Sequence, residues 1–225
     1  MTRLRFHQGL DELKQKLLAM GGMAEQAVDR AVDAYRKRDA GLCRKVLEGE
    51  QAINRAERDI DELALDLLAM QQPMAVDLRF ILAVIKINAD LERVGDQAVN
   101  IAERVIDMNA LPAAELPVDI PRMAQLAGGM VRQALEAFIR GDAALAQSVL
   151  ESDDAVDSMN RDALQNLSGL MKASPELSRQ ALDALLIARN LERVADHATN
   201  IAEDVIFWVR GADVRHHLGG VVPRS

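Results

Sequence analysis

A chain of 225 residues with 49% hydrophobic content can bury a substantial core, and few of its segments alternate as strands do; the fold class expected is all-α. A net charge of −8 excludes the basic face that a nucleic-acid binder needs, and a single cysteine, Cys43, excludes an intramolecular disulfide. No run reaches the roughly 18 apolar residues of a membrane span, and the N-terminus lacks the apolar core of a signal peptide, so a cytoplasmic protein is expected.

In chain order, the first helical pattern covers about residues 6–38, with Leu10, Leu13, Leu17, Met20, Ala24, Val28, Ala31 and Tyr35 spaced for one face. Gly21 and Gly22 interrupt it. Each glycine costs about 1 kcal/mol in a helix interior, so a kink or a close helix contact is expected there. Asp39 is placed to cap a second helix running to about Gln71. Pro73 breaks the pattern, and a third helix starts near Ala75 or Asp77 and ends near Met108. Residues 109–121 contain three prolines and read as a linker. A fourth helix spans about 121–140 and a fifth about 143–172. Ser174-Pro175-Glu176 is expected to cap a sixth, which runs to about Arg210.

The second half repeats the first. Leu91 to Ile106, LERVGDQAVNIAERVI, returns as Leu191 to Ile206, LERVADHATNIAEDVI, identical at twelve of sixteen positions. Tyr35, Asp39, Leu42, Val46 and Glu48 match Phe138, Asp142, Leu145, Val149 and Glu151 at an offset of 103. The expectation is two tandem three-helix bundles related by internal duplication: 1–111, 112–211, and a flexible tail over 212–225.

On the third helix Leu91, Val94, Ala98, Ile101 and Val105 share the inner face. Glu92, Asp96, Asn100 and Glu103 fall within about 80° of one another on the other side. The sixth helix repeats this stripe as Glu192, Asp196, Asn200 and Glu203. The second helix carries Glu50, Asn54, Glu57 and Asp61 on one face. The fifth carries Asp153, Asp157 and Asn160, with Leu164 where a fourth polar group is due, and Asp77 opens the third helix nearby in sequence.

A charged stripe is usually just a solvated face. Here carboxylates at i and i+4 repel by a few tenths of a kcal/mol, and no lysine lies on the stripes to offset this. Clustered carboxylates with amide oxygens suit hard or borderline cations such as Mg, Mn, Fe or Ca. A solvated surface and a metal site both remain open on the residues alone.

Enzyme chemistry has no signature. There is no phosphate-cradling glycine loop, no G-x-S-x-G and no paired cysteine, and the Glu-x-x-His pairs of a ferritin-type site are missing. His197 reads as a surface or hydrogen-bonded histidine. The methionines, among them Met20, Met23, Met70, Met74, Met123 and Met130, read as core fillers, and Arg79 is given no role.

QQPMAVDLRF (71–80), INADLERVGDQAVNIAE (87–103) and NLERVADHATNIAED (190–204) resemble the PhoU family of phosphate-transport regulatory proteins, over about residues 6–210. The resemblance implies two pseudo-twofold-related three-helix bundles. It also implies an E/D-x-x-x-D metal motif on each, falling on Glu92 and Asp96 and on Glu192 and Asp196, for divalent or trivalent ions (Mg, Mn, Fe or Zn). The implied role is a cytoplasmic negative regulator of phosphate uptake and starvation signalling, a homodimer linking the ATPase subunit of a phosphate ABC transporter to a sensor histidine kinase. A metal-buffering helical protein and an adaptor for another transporter are the alternatives. Because Leu164 replaces an acidic residue and Asp77 has no clean counterpart, the first-half site is expected to be the stronger.

Overall fold

The computed structural model of the protein describes residues 3–71 and 73–211. They form six α-helices: α1 (Arg3–Lys37), α2 (Ala40–Gln71), α3 (Ala75–Asn109), α4 (Ile120–Arg140), α5 (Ala143–Ala173) and α6 (Ser178–Arg210). Among the described residues there is no strand, and no helix is long and apolar enough to cross a membrane. The side chain of Met70 and the tail expected over 212–225 lie outside them.

The corners between helices follow from local chemistry. Asp39 Oδ1 accepts from the Gly41 and Leu42 amides at 2.7 and 3.2 Å, and Asp142 Oδ1 from those of Ala144 and Leu145 at 2.9 and 3.0 Å. These bonds satisfy amides that the first turn of a helix leaves unpaired. Each corner needs a left-handed residue just before its cap. Gly141 supplies one at φ 61°, but the first half uses Arg38 at φ 53°. That backbone is unfavourable for a side chain by about 1 kcal/mol or more. The Arg38 guanidinium offsets this by donating to the Met108 and Leu111 carbonyls, tying the α1–α2 corner to the end of α3.

The sixth helix departs from expectation at its start. Ser174 makes no side-chain capping bond; Pro175–Leu177 forms a separate 3-10 turn closed by Leu177 N–H on the Ser174 carbonyl, and α6 begins at Ser178. Proline fixes φ and has no amide to cap, which suits a short turn ahead of the helix.

Each half is a three-helix bundle, and the halves meet along α3 and α6 and, on the other side, along α1 and α4. The helices α2, α3, α6 and α5 therefore form one layer, backed by α1 and α4. Contacts of residues 86, 90 and 104 with 204, 197 and 183 show that α3 and α6 run antiparallel. The core is continuous. Leu13, Leu17, Met20, Ile60, Leu91, Ile101, Ile120, Met123 and Leu167 are fully buried within it. Phe80, Phe138 and Trp208, from α3, α4 and α6, join the halves at one end with ring centroids 5.2–5.7 Å apart. Met20, Met123 and Met130 fill the core as expected, whereas Met74, before the first turn of α3, is 79% exposed.

The glycine pair in α1 marks a contact. A Cβ on Gly21 would stand 2.6 Å from Leu135 Cδ1 of α4, while one on Gly22 would meet nothing within 4 Å. In α3, Gly95 lies against Ile53 of α2 in the same way, at 2.9 Å.

Candidate functional site

The close approach at Gly95 brings the polar rows of α2 and α3 face to face. Asn88, 1% exposed, donates through Nδ2 to the Glu57 carbonyl and to Asp61 Oδ1, both at 2.9 Å. One turn further along α3 is Glu92. Burial, then Asp96, Glu57 and Glu50, hold its carboxyl above the usual range, with Arg93 working against them. Burial raises Asp96 as well, and His197 offsets part of the rise. Glu50, Asn54, Glu57 and Asp61, all half-buried, line the α2 wall of this groove.

The α5–α6 groove repeats the arrangement with different residues. Burial, then Asp157, Asp196 and Asp154, push Asp153 up to about 6. Burial, Glu192 and Asp157 raise Asp196. Among the described residues Asp153 Oδ1 is buried without a hydrogen-bond partner. The sequence favours the first half, yet the most perturbed carboxylate lies in the second. Where the first groove has Asn88 bonded to Asp61, the second has Ala188 and Leu164, so both members of that pair are replaced together.

The stripes do not act as single units. Asn200 turns toward α3, its Nδ2 donating to Asp90 Oδ1 at 3.2 Å, and Glu203 lines a cavity on the α3–α6 seam with Lys86, Asp90 and Arg93. Asn100 and Glu103 continue the α3 row beyond Asp96, with Glu103 exposed. Asp77 stands in the first turn of α3, eleven residues before Asn88, which is about 16 Å along the helix and outside the groove.

Sequence reasoning did not single out the charges of the seam. Asp90 is buried and accepts from His197 Nδ1–H at 2.9 Å. Asp204 pairs with Lys86 at 3.0 Å, and Asp183, 1% exposed, is held by Arg179 at 3.2 Å and Arg104 at 3.6 Å. Arg79, given no role from sequence, donates to the Trp208 carbonyl near the end of α6. Asn88 in the α2–α3 groove was also passed over, although it lies one turn before Glu92 on the same stripe. Pairs across the seam involve positions more than 70 residues apart, which helical periodicity cannot connect.

The donor chemistry of both grooves fits a hard cation, because mutually repelling carboxylates and an orphaned carboxylate oxygen are what a positive ion would relieve. As the side chains stand, no group of three or more His, Cys, Asp or Glu among the described residues is arranged to hold one. The helices bring the carboxylates within mutual influence; their rotamers do not converge.

Comparison with known proteins gives the family. The PhoU domain matches twice, at residues 17–105 and 120–205. A phosphate-specific transport system accessory protein PhoU homolog of Pseudomonas putida is 42% identical over 215 residues, 94% of this chain and 83% of that protein. The accessory protein PhoU of Edwardsiella tarda is 33% identical over 97% of this chain and 90% of its own length. The crystal structure of PhoU from Pseudomonas aeruginosa is 40% identical and superimposes with a TM-score of 0.88, over 92% of this chain and all of that one. For the phosphate transport system regulatory protein PhoU from Streptococcus pneumoniae the values are 29% and 0.87, over 94% of this chain and all of that one. Both bundles, the duplication and nearly the full length are shared, and the chain belongs to the PhoU family.

Proposed function

We propose that this protein regulates phosphate uptake and phosphate-starvation signalling. In this reading it acts in the cytoplasm, by binding and not by catalysis, as a negative regulator. It forms a homodimer that links the ATPase subunit of a phosphate ABC transporter to a sensor histidine kinase. The observation that carries the reading is the family match over both halves, together with relatives named as accessory or regulatory proteins of phosphate transport. Capture of the purified ATPase subunit and of the kinase's cytoplasmic region by the full chain tests it. Binding of neither would remove the adaptor role.

In the same reading the two grooves take divalent or trivalent ions (Mg, Mn, Fe or Zn). Glu92, Asp96, Glu50, Glu57 and Asp61 would hold one set, and Glu192, Asp196, Asp153 and Asp157 the other. A bound ion supplies the positive charge that these walls lack. What supports this is the upward push on Glu92, Asp96, Asp153 and Asp196 and the unpartnered Asp153 oxygen. Rotation of carboxylates on fixed helices is needed to close around an ion. Metal content by mass spectrometry, beside Glu92→Gln/Asp96→Asn and Glu192→Gln/Asp196→Asn, is the test. Metal-free, fully folded wild-type protein would leave the grooves as solvated surface. The grooves by themselves would equally suit a metal-buffering protein, and that alternative predicts bound metal with no partner captured.

A further inference from the structure

The side of the molecule away from the carboxylate grooves carries a second feature. Helices α1 and α4 run antiparallel, touching at Gly21 and Leu135, with Lys14 Nζ on the Ile139 carbonyl at 2.7 Å and Arg132 on Glu25 at 3.7 Å. An open groove follows this contact. It comprises two cavities of about 560 and 440 Å³ that share Arg132 as a wall.

The duplication makes the cavities counterparts. At the offset of 103, Leu18, Gly22, Val32 and Arg36 correspond to Pro121, Gln125, Leu135 and Ile139. Divergence has given the two ends different chemistry. One has an apolar floor of Leu18, Gly22, Leu135 and Ile139, with Ile139 46% exposed and open space above Gly22, and its charged rim is paired off as Glu25 with Arg132 and Glu136 with Arg140. The other is lined by Arg30, Arg36 and Gln125.

Charge is unbalanced at that second end. Arg30 donates to the neutral Gln26, and at the rim Arg122 donates to Gln125. Asp33 is shared between Arg36 and Lys37, and Asp29 is the other acid on this wall. A local surplus of guanidinium groups in a chain of net charge −8 favours carboxylates, which arginine binds in a planar, two-bond fork. From Leu18 to Arg36 the groove is about 27 Å long by helix rise, too long for a small anion to span and suited to a peptide segment.

We propose that the α1–α4 groove docks a segment of a partner protein whose apolar side chains enter the Leu18–Ile139 end and whose carboxylates meet Arg30 and Arg36. The occupant is defined by that chemistry, one protein segment with apolar side chains followed by carboxylates; that it belongs to a partner of the transport system rests on the reading above.

The test measures affinity of both purified partners for the full-length wild-type chain, for Arg30→Glu/Arg36→Glu, for Gly22→Phe, and for Glu92→Gln/Asp96→Asn as the contrast on the opposite layer. Arg30 and Arg36 are exposed and the space above Gly22 is empty, so circular dichroism of the first two variants should match wild type and neither should melt far below it. The expected result is that each groove variant weakens one partner by about tenfold or more, while the contrast variant keeps binding it. Binding by wild type that both groove variants retain overturns the groove and leaves the adaptor role standing. Failure of wild type to bind either partner overturns the adaptor role, and this proposal with it. Displacement of the partner by millimolar inorganic phosphate through Arg30 and Arg36 would make the groove a small-anion site. A dimer that the groove variants convert to monomer would make its occupant a second copy. Either result overturns the proposal.

Discussion

Asp153 shows how one residue reports on its surroundings. Its carboxyl titrates near 6 in the folded chain against 3.8 for the free side chain, so folding favours its protonated form. Stability from this group is fully present below about pH 4 and is lost as pH rises through 6. Asp153→Asn should therefore stabilise the metal-free protein at pH 7. The full shift would be worth about 3 kcal/mol, and solvent screening of this partly open site reduces the expected gain to about 1 kcal/mol. Urea unfolding of both proteins at pH 7 and pH 4 checks this, since the gain should vanish at pH 4. Two glycines give a matched contrast. Gly22→Ala should add up to about 1 kcal/mol, because helix propensity improves and nothing is struck. Gly95→Ala would bring its Cβ to 2.9 and 3.3 Å from atoms of the stiff, β-branched Ile53, so a net loss of about 1 kcal/mol is expected. Thermal melts of the two variants distinguish these outcomes. The candidate carboxylates were legible residue by residue because helical spacing places them on one face. Which of them are most strongly perturbed was not, because that depends on the facing helix.

Among elements, the pairing of α3 with α6 departs most from its sequence pattern. Periodicity gives each helix one buried face and one wet one, but here both carry further buried polar residues at their contact. Asp183 lies in this seam with Arg104 and Arg179 beside it. Removing both arginines leaves a buried, uncompensated carboxylate, and Arg104→Met/Arg179→Met should cost about 3 kcal/mol at pH 8. Adding Asp183→Asn to that variant removes the uncompensated charge and should recover part of the deficit. Denaturant melts of the two variants would show an unchanged deficit if the arginines act only through packing. The Asp39 cap, by contrast, was legible, and Asp119 and Asp142 cap their helices in the same way, whereas the cap expected from Ser174 does not form. A cap acts within three residues, so its signal is local.

At the scale of the molecule, the halves depend on each other. Phe80 stacks on Phe138 and Trp208, both from the second half, and Asp90 finds its partners on α6. Residues 1–111 expressed alone would expose Phe80 and the covered side of α3, and are expected to self-associate. Light scattering on the isolated fragment decides this; a stable monomer would mean that each bundle is sufficient by itself.

The sequence by itself determined six helices, the Asp39 cap, the duplication and the carboxylate rows, because each depends on spacing within a few turns or on matching one half against the other. The tertiary structure decided that Asn88 joins Asp61, that Asn200 and Glu203 serve the central seam, that Asp77 stands outside the groove, and that α1 and α4 leave an open, two-ended groove. These depend on which helix lies opposite, a matter of packing between distant segments that no local period encodes.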